Sequence, residues 1–124
     1  MRIFLAEDNE DNYLVVKSNL KKLEMPYELL WAKDGSIAIE MLGHEDKIDV
    51  FLVDIEMPNI DGVALTEWIR SQKRFMYVPV IAITASVFAE MKKMYLDKGF
   101  DFILEKPFSR KELLSMLQRS VGAF

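Results

Sequence analysis

Val50-Phe51-Leu52-Val53-Asp54-Ile55-Glu56-Met57-Pro58-Asn59-Ile60-Asp61-Gly62 reads as a strand, a loop and a helix start in one short segment. Val50–Val53 is apolar without alternation, the pattern of a strand covered on both faces inside a parallel sheet. The strand ends on a carboxylate, Asp54. Asp61 is placed to cap a helix over Gly62–Arg70, whose apolar side is Val63, Leu65, Trp68 and Ile69.

Outward from this segment the same unit recurs. Apolar runs at Arg2–Ala6, Tyr27–Ala32, Val50–Asp54, Val78–Thr84 and Phe102–Glu105 alternate with stretches of helical periodicity. Ile3-Phe4-Leu5 and Val78–Ile83 are also nearly continuous in apolar residues, whereas Tyr27–Ala32 is mixed and belongs nearest a sheet edge. Asn12–Leu23 puts Leu14, Val15, Leu20 and Leu23 on a helical stripe, and Asp34-Gly35-Ser36 turns into Ile37–Leu42. Ser86–Lys98 stops at Gly99, and Ser109 caps a helix to Val121 carrying Leu113, Leu114, Met116 and Leu117. The alternation predicts an α/β fold, (βα)5, with a five-stranded parallel sheet between two layers of helices. No repeat, low-complexity segment or linker interrupts it, so residues 1–124 are read as one domain.

The bulk composition narrows the function classes. About half of the 124 residues are apolar and 29% are charged, as in ordinary soluble globular proteins. No apolar run approaches the ~20 residues of a membrane span, and MRIFLAEDNE is too short and too acidic for a signal peptide. Cysteine is absent, which excludes disulfide frameworks and thiolate zinc sites. The net charge is −4, and the densest basic spots, Lys21–Lys22 and Lys92–Lys93, fall on solvated helix faces. These features lead us to expect a cytoplasmic protein without a nucleic-acid or membrane partner.

In open α/β sheets chemistry gathers beyond the carboxyl ends of the strands. The first run ends in Glu7-Asp8, the third in Asp54, the fourth in Thr84 and the fifth in Lys106. If the first and third strands are neighbours, about 4.8 Å apart, Asp8 and Asp54 come close together. Unit charges ~6 Å apart at an effective dielectric of ~20 repel by about 3 kcal/mol. A structural role does not explain such a cost, whereas a hard dication such as Mg²⁺ would remove it. Lys106 would add positive charge for an incoming phosphoryl group, and the Thr84 hydroxyl a hydrogen bond. Each residue alone has a plainer reading, as a helix-start acid, a solvated strand end or an exposed lysine; the joint arrangement favours phosphoryl chemistry.

LAEDNEDN, LVDIEMPNIDG, AITAS and EKPF, in that order along the chain, resemble the receiver domain of two-component response regulators, stand-alone or cut from a hybrid kinase. The resemblance implies a flavodoxin-like doubly wound sheet of strand order 2-1-3-4-5. It implies that Asp54 accepts a phosphoryl group from a phosphohistidine on a histidine kinase or a histidine phosphotransfer protein. Asp8, Asp54 and the Glu56 backbone carbonyl would hold Mg²⁺, with Glu7 acting through water. Thr84 and Lys106 would bind the phosphoryl oxygens, and Thr84, Ala85 and Ser86 would carry the switch. Pro58 and Gly62 would shape the loop beside the acceptor, and Pro107 would follow Lys106 through a cis bond. One position departs from the family: Ile103 stands three residues before Lys106, where Tyr or Phe is usual. Phe102 is adjacent, but strand alternation points it to the opposite face. We therefore expect ordinary phosphorylation without the usual aromatic swing.

Glu56, two residues beyond the acceptor, is expected to tune dephosphorylation. Ser86, Phe88, Met91 and Met94 would lie on or near an output face. His44, the single histidine, reads as an exposed loop residue, and most of the eight methionines read as packing. Catalysis is expected to be limited to self-phosphorylation and autodephosphorylation, so the chain is not a conventional enzyme. Two readings within the family are a switch acting on an unknown downstream protein and a relay intermediate that passes the group on. An aspartyl-phosphate phosphatase fits less well, since those enzymes favour Asp where Glu56 stands. A cofactor-binding flavodoxin-like protein fits least, because Glu7-Asp8 would repel phosphate after the first strand.

Overall fold

The computed structural model describes residues 1–85 and 89–122. Strands β1 (Arg2–Ala6), β2 (Glu28–Ala32), β3 (Val50–Asp54), β4 (Val80–Thr84) and β5 (Phe102–Glu105) alternate with five helices. These are α1 (Glu10–Leu20), α2 (Gly35–Leu42), α3 (Gly62–Ser71), α4 (Ala89–Asp97) and α5 (Arg110–Val121). The sheet is parallel throughout in the order β2-β1-β3-β4-β5, so the flavodoxin-like topology holds and the mixed strand β2 is indeed an edge. Among the described residues no helix is long and apolar enough to cross a membrane.

Strand alternation divides the apolar residues into two cores. Phe4, Phe51, Val53 and Ala82 face one side, against Ala38 and Leu42 of α2, Leu65 and Ile69 of α3, and Tyr95 of α4. Leu5, Leu52, Ile83 and Leu104 face the other, against Val16 and Leu20 of α1 and Leu113 and Leu117 of α5. β3 and β4 are buried along their whole length, which explains their unbroken apolar sequence. Burying one such side chain fully stabilises the fold by roughly 1.5–3 kcal/mol.

Helix starts follow the capping chemistry. Asp34, Asp61 and Ser109 each accept a hydrogen bond from a backbone N–H three residues on, and Ser109 forms a reciprocal capping box with Glu112. The first helix differs from the expectation: it begins at Glu10 under an Asn9 cap, and its stripe is shifted by one residue. Val16 is buried with Leu20, whereas Leu14 and Val15 are 47% and 49% exposed. Three consecutive apolar residues left the phase of the stripe open, and packing against α5 selected Val16. Lys21–Lys22 lie in the turn after α1 rather than on the helix. His44 is exposed in the loop after α2, as expected. Met57 is buried and Met91 packs against the core, while Met76 and Met94 are substantially exposed. Ser86 and Phe88 lie outside the described residues.

Candidate active site

The β1–β3 register pairs Ala6 with Val53, which places Glu7, just past β1, level with Asp54, the last residue of β3. Glu7, Asp54 and Lys106 continue the alternation of Leu5, Leu52 and Leu104, so they share one face of the sheet. Carboxylate oxygens of Glu7, Asp8 and Asp54 lie within 4.8 Å of one another. Glu7 and Asp54 are buried, 1% and 4% exposed, while Asp8 is open to solvent. Lys106 Nζ stands 3.5 Å from Glu7 Oε2 and 3.5 Å from Asp54 Oδ2.

Each group is held by local geometry. Asp54 Oδ1 accepts the Glu56 N–H at 3.1 Å, which leaves Oδ2 toward Lys106. The Lys106 N–H donates to the Thr84 carbonyl at 2.8 Å, and the Lys106–Pro107 peptide is cis, as the resemblance implied. Thr84 is buried at the end of β4, one residue beyond Ile83, the register partner of Asp54. Ala85 is exposed next to it. Gly62 lies under the β3–α3 loop so closely that a Cβ there would meet the Asp54 carbonyl oxygen at 2.3 Å. Asn59 turns the same loop with a positive φ of 66°, a conformation asparagine tolerates.

Burial and the negative charge of Glu7 push the Asp54 carboxyl up to about 7, against the opposing pull of Lys106 and the Glu56 N–H. Three carboxylates thus face one ammonium, two of them withdrawn from water. Such a set fits a hard dication with oxygen ligands: the donors are all carboxylates, and Asp8 keeps one side open for water or phosphate.

β5 separates its two candidate switch residues. Ile103 packs into the core on the α2–α3–α4 side. Phe102 packs on the α1–α5 side, where the Arg119 guanidinium lies 5.2 Å from its ring centre. The sequence reading missed four supports of the site. Asn9 and Asn12 both donate to Glu7 Oε1, at 3.3 and 3.1 Å, and Trp31 Nε1 donates to the Glu7 carbonyl at 2.8 Å. Gly35, at the start of α2, abuts Ile60 of the acceptor loop, where a Cβ would meet the Ile60 carbonyl oxygen at 2.3 Å.

Residues 3–118 match the family model of the response regulator receiver domain. The chain is a receiver domain of that family. Histidine protein kinase 1 of Candida albicans is 41% identical to it over 129 residues, covering 96% of this receiver but 5% of that protein. Sensor protein GacS of Pseudomonas syringae is 30% identical over 124 residues, 98% of this receiver and 13% of that protein. The receiver therefore spans only a small part of these curated relatives. Among solved structures, the receiver domain of sensor histidine kinase PA1611 from Pseudomonas aeruginosa superposes with a TM-score of 0.86 at 34% identity, covering 98% of each chain. That crystal holds a magnesium ion coordinated in its active site cleft. Chemotaxis protein CheY4 of Vibrio cholerae gives a TM-score of 0.87 at 26% identity, over 96% of this receiver and 97% of that chain.

Proposed function

We propose that this receiver domain is a phosphorylation switch in which Asp54 takes a phosphoryl group from a phosphohistidine of a histidine kinase or histidine phosphotransfer protein. The observation that carries this reading is the buried Asp54 carboxylate beside Lys106, with Glu7 and Asp8 close by. Asp54 Oδ2 attacks phosphorus, an O–P bond forms, the N–P bond breaks, and its electron pair returns to the imidazole nitrogen. The reaction needs positioning and charge stabilisation more than covalent chemistry. Lys106 pairs with a phosphoryl oxygen, and the Thr84 hydroxyl donates to another. The Glu56 N–H on Oδ1 keeps the carboxylate plane fixed during attack. Asp8, Asp54 and the Glu56 carbonyl would hold Mg²⁺, with Glu7 acting through water, and the ion would supply positive charge against the phosphoryl oxygens.

Return to the resting state is hydrolysis of the acyl phosphate, with Glu56 beside the path of the attacking water. Output passes through Thr84, Ala85 and Ser86. Ile103, already packed in the core, lacks the aromatic ring whose swing would add to the signal. The relatives' names, a histidine protein kinase and a sensor protein, support a histidine-bearing donor.

The test is incubation with Mg²⁺ and acetyl phosphate, followed by intact mass. We expect one acid-labile phosphoryl adduct that requires Mg²⁺ and is absent from Asp54→Asn. A folded wild-type protein that gains no adduct would remove the acceptor role.

A further inference from the structure

Glu7 is restrained far more than a ligand reached through water requires. Its N–H donates to the Ala32 carbonyl at 3.0 Å, and its own carbonyl accepts Trp31 Nε1–H at 2.8 Å. Its Oε1 takes the Asn12 amide and the Asn9 N–H, so Oε2 is the oxygen left for Lys106 and the acidic cluster. The bond from Trp31 differs from the others in origin, because a side chain of the edge strand β2 reaches over to fix the backbone of the turn after β1. The indole is itself fixed. Tyr13 of α1 stacks on it at 3.9 Å between ring centres with planes 3° apart, and Lys33 lies 5.3 Å from the Trp31 ring centre. A stacked pair of this kind is attractive beyond its burial and fixes the plane of the indole.

We infer that Trp31 is a positioning residue for the cation site, holding the Glu7-Asp8 turn in its ligating shape through the Glu7 carbonyl. The inference rests on the acceptor reading above. A turn held in advance loses less conformational freedom when the ion arrives, which raises affinity without adding a ligand. Partners one layer behind the ligands act in this way at metal sites generally. Tyr13 serves through its ring alone, so its hydroxyl is dispensable.

Calorimetric Mg²⁺ titration of wild type, Trp31→Phe and Tyr13→Phe tests this directly. Phenylalanine preserves an aromatic ring at position 31 and removes the N–H donor. One hydrogen bond of ordinary strength corresponds to about 3- to 10-fold in affinity. Trp31→Phe should weaken Mg²⁺ binding by that factor, with Tyr13→Phe unchanged. A second measurement does not depend on how Trp31→Phe folds. In the wild-type protein free of Mg²⁺, the Trp31 indole N–H should already be protected from solvent exchange in NMR, as a turn held in advance requires. Equal Mg²⁺ affinity for wild type and Trp31→Phe, or an indole N–H protected only after Mg²⁺ is added, overturns the inference while leaving Asp54 as acceptor. A wild-type protein that binds no Mg²⁺ overturns the metal-assisted reading and this one together.

Discussion

The two ends of the sheet treat charge in opposite ways. At the amino end, acids pair directly with guanidinium or backbone donors, and none of these acids is buried. The Arg2 guanidinium binds Glu28 at 3.1 Å and Glu45 at 2.8 Å, and its backbone N–H meets Asp49 at 2.7 Å. Arg70 binds Asp101 at 2.7 Å and also donates to the carbonyls of Gly99 and Val78. At the carboxyl end, Glu7, Asp8 and Asp54 share Lys106, in a pocket where two of the carboxylates are buried. One end uses partly exposed charges to close the structure, and the other holds two carboxylates out of water, where a cation would relieve them. The pole that clasps the fold and the pole proposed to carry the chemistry thus lie at opposite ends of one sheet.

Arg70 offers the strongest way to break that contrast. Its side chain ties the end of α3 to the α4–β5 loop and to the entry of β4, and its loss would orphan several carbonyls. Hydrogen bonds to a charged group contribute roughly 1.5–3 kcal/mol each, so Arg70→Ala should destabilise by about 3 kcal/mol in urea titration. Phosphorylation of the remaining folded fraction should be intact. Selective loss of phosphorylation would show that the poles are not independent.

The next effect belongs to the carboxyl end and depends on pH. Asp54 has its carboxyl raised from the ordinary 3.8 to about 7. Between those values the folded protein holds a proton that the unfolded chain has released, so this group's contribution to stability falls as pH rises through the window. In chelator, Asp54→Asn should therefore gain Tm over wild type, by more at pH 8 than at pH 5. Added Mg²⁺ should raise the wild-type Tm more at pH 8, where no proton competes for the carboxylate. A Tm difference independent of pH would mean that Asp54 is not strained by its neighbours.

The smallest effect returns to the amino end. Arg2 holds Glu45 below the usual carboxylate range through their hydrogen bond, and the pair keeps about a quarter of its side-chain surface in water, within reach of salt. Arg2→Gln should cost a fraction of the Arg70 loss, and about 1 M salt should shrink it further. A loss as large as that at Arg70, insensitive to salt, would make Arg2 a second structural clasp.

The sequence made much of this contrast legible at one pole and little at the other. The buried strands announced themselves as unbroken apolar runs, and the carboxylates at their ends could be assigned because topology brings strand ends together. Asp54, Glu7, Asp8 and Lys106 were readable for that reason. Leu14 and Val15 were misassigned because hydropathy cannot choose among three adjacent apolar residues. The roles of Trp31 and Gly35 left no local signal: one bonds a backbone carbonyl in the turn after another strand, and the other is defined by a loop that approaches it from far along the chain. Arg70 was equally silent, since its partners are mostly carbonyls.

The two cores set on either side of the sheet have a consequence for how such a chain can change over generations. Phe4 and Leu5 are sequence neighbours but belong to different packed clusters. Substitutions on opposite sides that share no partner combine nearly additively, within about 0.3–0.5 kcal/mol. The layer under α2, α3 and α4 can therefore drift and repack while the layer beneath Glu7, Asp54 and Lys106 stays fixed, so lineages could diverge widely in sequence and retain the same chemistry.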